Sequence, residues 1–308
     1  MKRSSPATHF RTVGVISRRN SPELKDSVGV VCDVLSSHGV AVQLEDATAA
    51  MMPAAGFPAV PRDALGNLCD LVVVVGGDGS LLGVGRELVG SGVPVLGVNR
   101  GGLGFLADVA PDRIAEQLSA VLAGRYLVED HFLLEARVTR GGTVLRQSTA
   151  LNDVVIRLGA ELRMLEFSLW INGAFVYEQR SDGLIIASPT GSTAYALSAG
   201  GPIMHPSLDA IAIVPMFPHT LTSRPLVVPG TSDIQVVIGE AGPADALVSC
   251  DSQVDLPLAR GDEVHIAKFA KPLRLVYTEG HSFYESCRSK LDWGTRLGGR
   301  RQGMPRGN

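Results

Sequence analysis

Apolar runs and helix-like periodicities alternate along the first third of the chain. Thr12–Ile16 is a short β-branched run that predicts a strand. Ser21-Pro22-Glu23 then supplies a capping hydroxyl, a proline at the first helical position and an acidic first turn. That helix runs to about His38 and stops at Gly39. Val40–Leu44 predicts a second strand, and residues 47–62, rich in Ala, Pro and Met, predict a loop. Leu71–Val75 is apolar without interruption, the pattern of a strand covered on both faces of a parallel sheet. A helix near Ser80–Val89, a strand at Val93–Val98 and a helix from Asp112 to about Ala123, ended by Gly124, continue the rhythm. Such alternation implies an α/β domain with an open, mostly parallel, Rossmann-like sheet.

The pattern changes near residue 128. Phe132, Leu134, Ala136 and Val138 alternate with polar residues, and Gly141-Gly142 turns the chain. Met164–Ile171 and Ala174–Gln179 flank Asn172-Gly173, a two-residue hairpin signal. Ile234–Ile238, Leu247–Ser249, Val264–Ala267 and Leu273–Tyr277 are further strand candidates. This half reads as mainly β and sandwich-like, closed by a short helix at Phe283–Lys290.

With 308 residues, a two-domain chain can build its core without disulfides or a structural metal. The 45% hydrophobic and 19% charged composition excludes disorder as a description of the whole chain. A net charge of −3 argues against a dedicated nucleic-acid binder. No apolar run resembles a signal peptide or reaches the ~20 residues of a membrane span, so no membrane partner is expected. Cys32, Cys69, Cys250 and Cys287 lack metal-ligand or disulfide-framework spacing and read as reduced thiols of a cytoplasmic protein. Arg296, Arg300, Arg301 and Arg306 sit among glycines in a tail read as a solvated end. The unusual feature is 35 glycines, which raises the question of close approach to a ligand.

Four segments carry candidate chemistry. Gly76-Gly77-Asp78-Gly79-Ser80 lies at the carboxyl end of a buried strand and opens a helix, a place suited to phosphates. An acid in a phosphate loop fits a magnesium ligand or a base facing a hydroxyl; a tight turn with Asp78 as a helix cap is equally open. Asn152-Asp153 could grip a vicinal diol or simply end a strand. Asp182–Pro202 is a glycine-bearing, hydroxyl-rich stretch with one Tyr, suited to a polar ligand with a flat ring or to a long surface loop. Cys250-Asp251-Ser252-Gln253 reads as a turn between strands. No GxxxxGK[ST], GxSxG or HExxH pattern occurs, and Gly102–Ala107 only imitates a dinucleotide fingerprint, because Asn99–Gly102 intervene after the strand.

Taken together, the GGDG loop, the Asn-Asp pair, DGLIIASPTGSTAYALSAGGP, the segment Val214–Thr222 and Ser223-Arg224-Pro225-Leu226 resemble the NAD kinase family, in wording closest to proteobacterial members. The resemblance implies an α/β domain of residues 1–127 plus 282–308 and a β-rich NAD-binding domain of residues 128–281. It implies transfer of the γ-phosphoryl of ATP to the 2′-hydroxyl of the adenosine ribose of NAD, supplying cellular NADP. Asp78 would be the proton acceptor, with Gly76, Gly77 and Gly79 at the ATP phosphates. Asn152, Asp153, Arg163, Arg180, Asp182, Thr193, Ala194, Tyr195, Ala196, Leu197, Ser198 and Gln253 would bind the dinucleotide. Magnesium would enter mainly through the ATP phosphates, with Asp78 as the candidate protein ligand. Arg180 resembles the charged residue of members restricted to ATP. Relatives of this kind are commonly dimers or tetramers, so a homo-oligomer is expected. A lipid kinase sharing the GGDG loop and a non-catalytic dinucleotide-binding regulator are the alternatives.

Overall fold

Residues 10–17, 21–53, 56–101, 104–159, 164–220, 222–239 and 245–293 are described by the computed structural model. The chain begins with β1 (Thr12–Ile16), α1 (Pro22–Ser37), β2 (Ala41–Glu45), α2 (Asp46–Met51), β3 (Ala59–Val60) and α3 (Arg62–Leu68). There follow β4 (Leu71–Gly76), α4 (Asp78–Leu88), β5 (Val95–Asn99), α5 (Ile114–Leu122) and β6 (Tyr126–His131). A β-rich stretch comes next: β7 (Leu134–Arg140), β8 (Thr143–Ala150), β9 (Asp153–Leu158), β10 (Leu165–Ile171), β11 (Ala174–Ser181) and β12 (Gly183–Ala187). After the one-turn α6 (Tyr195–Ser198) come β13 (Ala210–Met216), β14 (Leu226–Pro229), β15 (Ile234–Ile238), β16 (Ala246–Cys250), β17 (Val254–Pro257) and β18 (Glu263–Lys268). The last elements are β19 (Leu273–Thr278) and α7 (Phe283–Lys290).

Local chemistry explains most of the first lobe. Ser21 Oγ accepts from Leu24 N at 3.4 Å, and Leu24, Val28, Val31 and Leu35 form the buried stripe of α1. The stretch expected to be a loop at 47–62 instead holds α2 and β3. Glu45 caps α2 by accepting from Thr48 N at 2.9 Å and is itself held by Arg62 at 2.7 Å. This long-range clamp turns an Ala-rich segment into a helix, which composition alone did not reveal.

The first sheet has seven strands in the order β3-β2-β1-β4-β5-β19-β6. All its pairs are parallel except β19 with β6. Strand β4 is buried along its length, as the Leu71–Val75 run requires. It lies beside β1, where the strand order reverses, so a ligand crevice opens at its carboxyl end. By sheet membership the chain leaves this lobe after His131 and returns at Leu273, so β19 and the last four residues of β6 lie inside the range 128–281 read as the β-rich unit. Nothing in the local sequence of either strand names its partner, and only pairing distinguishes which sheet they join.

The second lobe is a sandwich of two six-stranded sheets, β11-β10-β15-β18-β7-β8 and β14-β13-β12-β9-β16-β17. Every pair in them is antiparallel. Ile156, Ile186 and Val248 of one sheet share a core with Phe167, Val236 and Val264 of the other. Asn172 (φ 51°) and Gly173 (φ 76°) make the expected tight hairpin.

Candidate active site

The acid of the glycine loop is held by a segment far from it in sequence. Helix α4 begins at Asp78 itself, two residues earlier than the apolar pattern suggests, so the acid sits in the first helical turn. Its carboxylate accepts the backbone N–H groups of Phe105, Leu106 and Ala107. A carboxylate offers about four lone-pair positions, so three amides orient it and leave capacity for one more donor. Gly104 passes so close that a Cβ there would overlap the Asp78 carboxyl group. The GLGFLA stretch that imitates a dinucleotide fingerprint thus serves Asp78; its Gly102 and Leu103 lie outside the described residues. Gly77 packs against the Gly101 backbone, and Gly79 is exposed beside the Gln253 amide.

Two residues connect this loop to the second lobe. Gln253 Nε2 donates to the Gly79 carbonyl at 2.7 Å, and its Oε1 accepts from Arg86 at 2.8 Å. Arg86 also donates to Asp251 at 2.7 Å. Asp251 and Ser252 adopt left-handed backbone (φ 53° and 54°), making the CDSQ segment the tight turn between β16 and β17. The Asp251 carboxylate further accepts the backbone N–H groups of Leu151, Asn152 and Asp153 at 3.0, 2.7 and 3.3 Å. Arg86 belongs to none of the four motif segments, and Asp251 is marked in the sequence only as part of a turn. One signal was available: Arg86 follows Gly79 by seven residues, about two helical turns, so both lie on one face of α4.

The Asn-Asp pair divides in two. The Asn152 side chain is partly exposed and makes no hydrogen bond among the described residues. Asp153 is buried, facing the Tyr195 backbone N–H and Asp251. Burial, reinforced by the Asp251 charge, pushes its carboxyl up to about 7 against the Tyr195 hydrogen bond. The hydroxyl-rich stretch is likewise split. Ser188 Oγ donates to the Leu151 carbonyl, Thr190 bonds His131 at 2.8 Å, and Ser192 Oγ donates to Pro189 O at 2.6 Å. These hydroxyls hold the loop in place. Gly191 lies so close to the Asn152 carbonyl that a Cβ would overlap it.

Two of the remaining candidates, Tyr195 and Ser198, line an open groove. They face Met216, Phe217, Ser223 and Arg224 around about 420 Å³, within the ~300–1,000 Å³ usual for small-molecule sites. Ala196 is buried beneath, and Thr193, Ala194 and Leu197 are partly exposed. Asp182 N donates to Met216 O at 3.0 Å, so this exposed acid stands at the rim. Arg180 is exposed and ion-paired with Glu166 at 2.8 Å. Arg163 lies outside the described residues, as do the arginines of the tail. Among the described residues no three His, Cys, Asp or Glu side chains converge as a metal-binding group, and Asp78 is already engaged by amides.

Residues 13–126 match the model of the ATP-NAD kinase N-terminal domain, and residues 151–278 match that of the ATP-NAD kinase C-terminal domain. The chain belongs to the NAD kinase family. The NAD kinase of Pseudomonas putida (strain W619) is 51% identical over 291 residues, spanning 94% of this chain and 98% of its own length. That of Pseudomonas fluorescens (strain SBW25) is 52% identical over 291 residues, with the same shares of each chain. Among solved structures, the yeast NADH kinase complexed with NADH superposes with a TM-score of 0.85 at 24% identity, covering 97% of this chain and 95% of that one. An NAD kinase from Archaeoglobus fulgidus in complex with ATP gives 0.71 at 26% identity, covering 91% and 98%. This NAD kinase fold combines the mostly parallel α/β sheet and the antiparallel β lobe described above.

Proposed function

We propose that the protein phosphorylates NAD with ATP, giving NADP. The observation that carries this is the linkage of the Asp78 loop to the Asn152-Asp153 segment. Gln253 and Arg86 bridge the two across the lobe boundary. A phosphate chain on the glycine loop and a ribose against Asn152 would then be held by one connected unit. In the step itself, the ribose 2′-oxygen forms a bond to the γ-phosphorus. The bond from that phosphorus to the β,γ-bridging oxygen breaks, ADP departs, and Asp78 takes the hydroxyl proton. Phosphoryl transfer of this kind asks the protein for positioning and charge neutralisation more than covalent chemistry.

Gly76, Gly77 and Gly79 would lie at the ATP phosphates. Magnesium would enter mainly through the ATP phosphates, with Asp78 as the candidate protein ligand. Asn152, Asp182, Thr193, Ala194, Tyr195, Leu197, Ser198 and Gln253 would contact the dinucleotide, with Asp153 and Ala196 supporting them from beneath. By its place in the family motif Arg163 would join these contacts, and Arg180 would favour ATP over polyphosphate. A cytoplasmic location is supported by four buried free thiols. Homo-oligomer formation is supported by exposed Phe175 and Val176 on the edge strand β11 and Leu226 and Val227 on the edge strand β14. The −3 net charge favours small-molecule substrates over nucleic acid.

Incubation with ATP, magnesium and NAD, coupled to an NADP-specific dehydrogenase, tests the assignment. NADP should accumulate. Folded protein that binds NAD but forms none would point to a dinucleotide-binding regulator.

A further inference from the structure

Lys290 ends α7, and its side chain is half-buried against the first lobe. Its Nζ lies over the Phe105 ring, 5.3 Å from the centroid. Phe105 is the residue whose backbone N–H reaches Asp78. Helix α7 therefore places an ammonium group against the segment that holds the acid.

No hydrogen bond or ion pair satisfies this ammonium among the described residues. The carboxylates of Asp78 and Asp108 act on it through space. Burial lowers the Lys290 pKa, and those two carboxylates oppose the change. Asp108 is already committed, accepting from Thr278 N and Oγ at 2.7 Å each and pairing with His281 at 3.0 Å. Other cations near the loop are engaged as well. Arg86 is held by Asp251 and Gln253, and Arg100 Nε donates to Ser27 Oγ. A half-desolvated ammonium is costly, and one aromatic face returns only part of that cost. The arrangement suits a cation that meets an anion arriving with the substrate.

We propose that Lys290 is a further catalytic residue, its ammonium lying against the phosphoryl group that passes over Asp78 and neutralising its oxygens. This rests on the kinase reading above. A triphosphate beside a carboxylate needs opposing charge, and the backbone amides of a glycine loop carry only partial charges. Lysine fits the task, because its compact charge sits on a flexible stem that can move from the Phe105 face to a phosphate oxygen.

The test uses the full chain with Lys290→Met, which keeps the apolar stem over Phe105, and Lys290→Arg, which keeps the charge. NADP formation is followed with ATP and NAD varied, NAD affinity is measured by calorimetry without ATP, and melting temperatures are compared. Lys290→Met should lower kcat/KM for ATP at least ~100-fold while NAD affinity and melting temperature stay unchanged. Lys290→Arg should recover about tenfold of that loss. Lys290→Met turnover within about threefold of wild type would overturn the proposal. So would a fall in NAD affinity or melting temperature that accounts for the lost activity, since Lys290 would then be a packing residue. Wild-type protein that forms no NADP would remove the kinase reading itself and this proposal with it, a failure distinct from the other two.

Discussion

Arg86 of α4 donates to Asp251 of the β16–β17 turn at 2.7 Å, joining two lobes 165 residues apart in sequence. The side chains are 10% and 0% exposed, so neither charge has water to fall back on. Removing one partner of such a buried pair costs about 3–5 kcal/mol, chiefly because the other charge is left uncompensated. Asp251→Ala also strands the amides of Leu151 and Asn152. A large fall in melting temperature is therefore expected on calorimetry. Gln253 is exposed, so Gln253→Ala should cost stability only ~1 kcal/mol while raising the KM for NAD.

Asp78→Asn keeps the shape of the side chain but cannot accept the ribose proton. A positioned base contributes ~10²–10⁴-fold, so kcat should fall at least ~100-fold with NAD binding retained. Stopped-flow or steady-state NADP formation beside an NAD titration checks this. Near-normal turnover would leave Asp78 as a structural cap held by the Phe105–Ala107 amides.

Gly104→Ala probes the same acid from the other side. A Cβ at 104 would stand 2.6 Å from the Asp78 carboxyl carbon. Either the loop or the acid must move, and displacement of about 1 Å at a reacting group can cost ~100-fold in rate. The expected outcome is a loss of kcat exceeding any loss of thermal stability. Full activity in Gly104→Ala would show that the loop yields without disturbing the acid.

Asp153 gives a pH dependence with a defined sign. Its carboxyl titrates at about 7 in the fold, raised from 3.8 by burial and then by Asp251. Between these values the folded state binds a proton that the unfolded chain has released. Stability from this group therefore falls as pH rises from 3.8 to about 7, and levels off above. Asp153→Asn should flatten that slope and raise the melting temperature at pH 8 relative to wild type. An unchanged slope in denaturant titrations across this range would show that Asp153 is ionised throughout.

Local patterns settle what each segment is. Leu71–Val75 had to be a strand buried on both faces because nothing polar interrupts it, and β4 is that strand. Asn172-Gly173 had to turn tightly because both residues tolerate positive φ. The four motif segments, in their order, were enough to place the chain in its family. Tertiary structure alone decided what covers what. It assigned β6 and β19 to the first sheet, turned Ser188, Thr190 and Ser192 inward, and closed Phe105–Ala107 onto Asp78. It also brought Arg86 to Asp251 and Lys290 to Phe105. The physical reason is range. Periodicity and turn chemistry report how a few neighbouring residues meet solvent or core, whereas a hydrogen bond between residues far apart in sequence depends on the path of the entire chain between them.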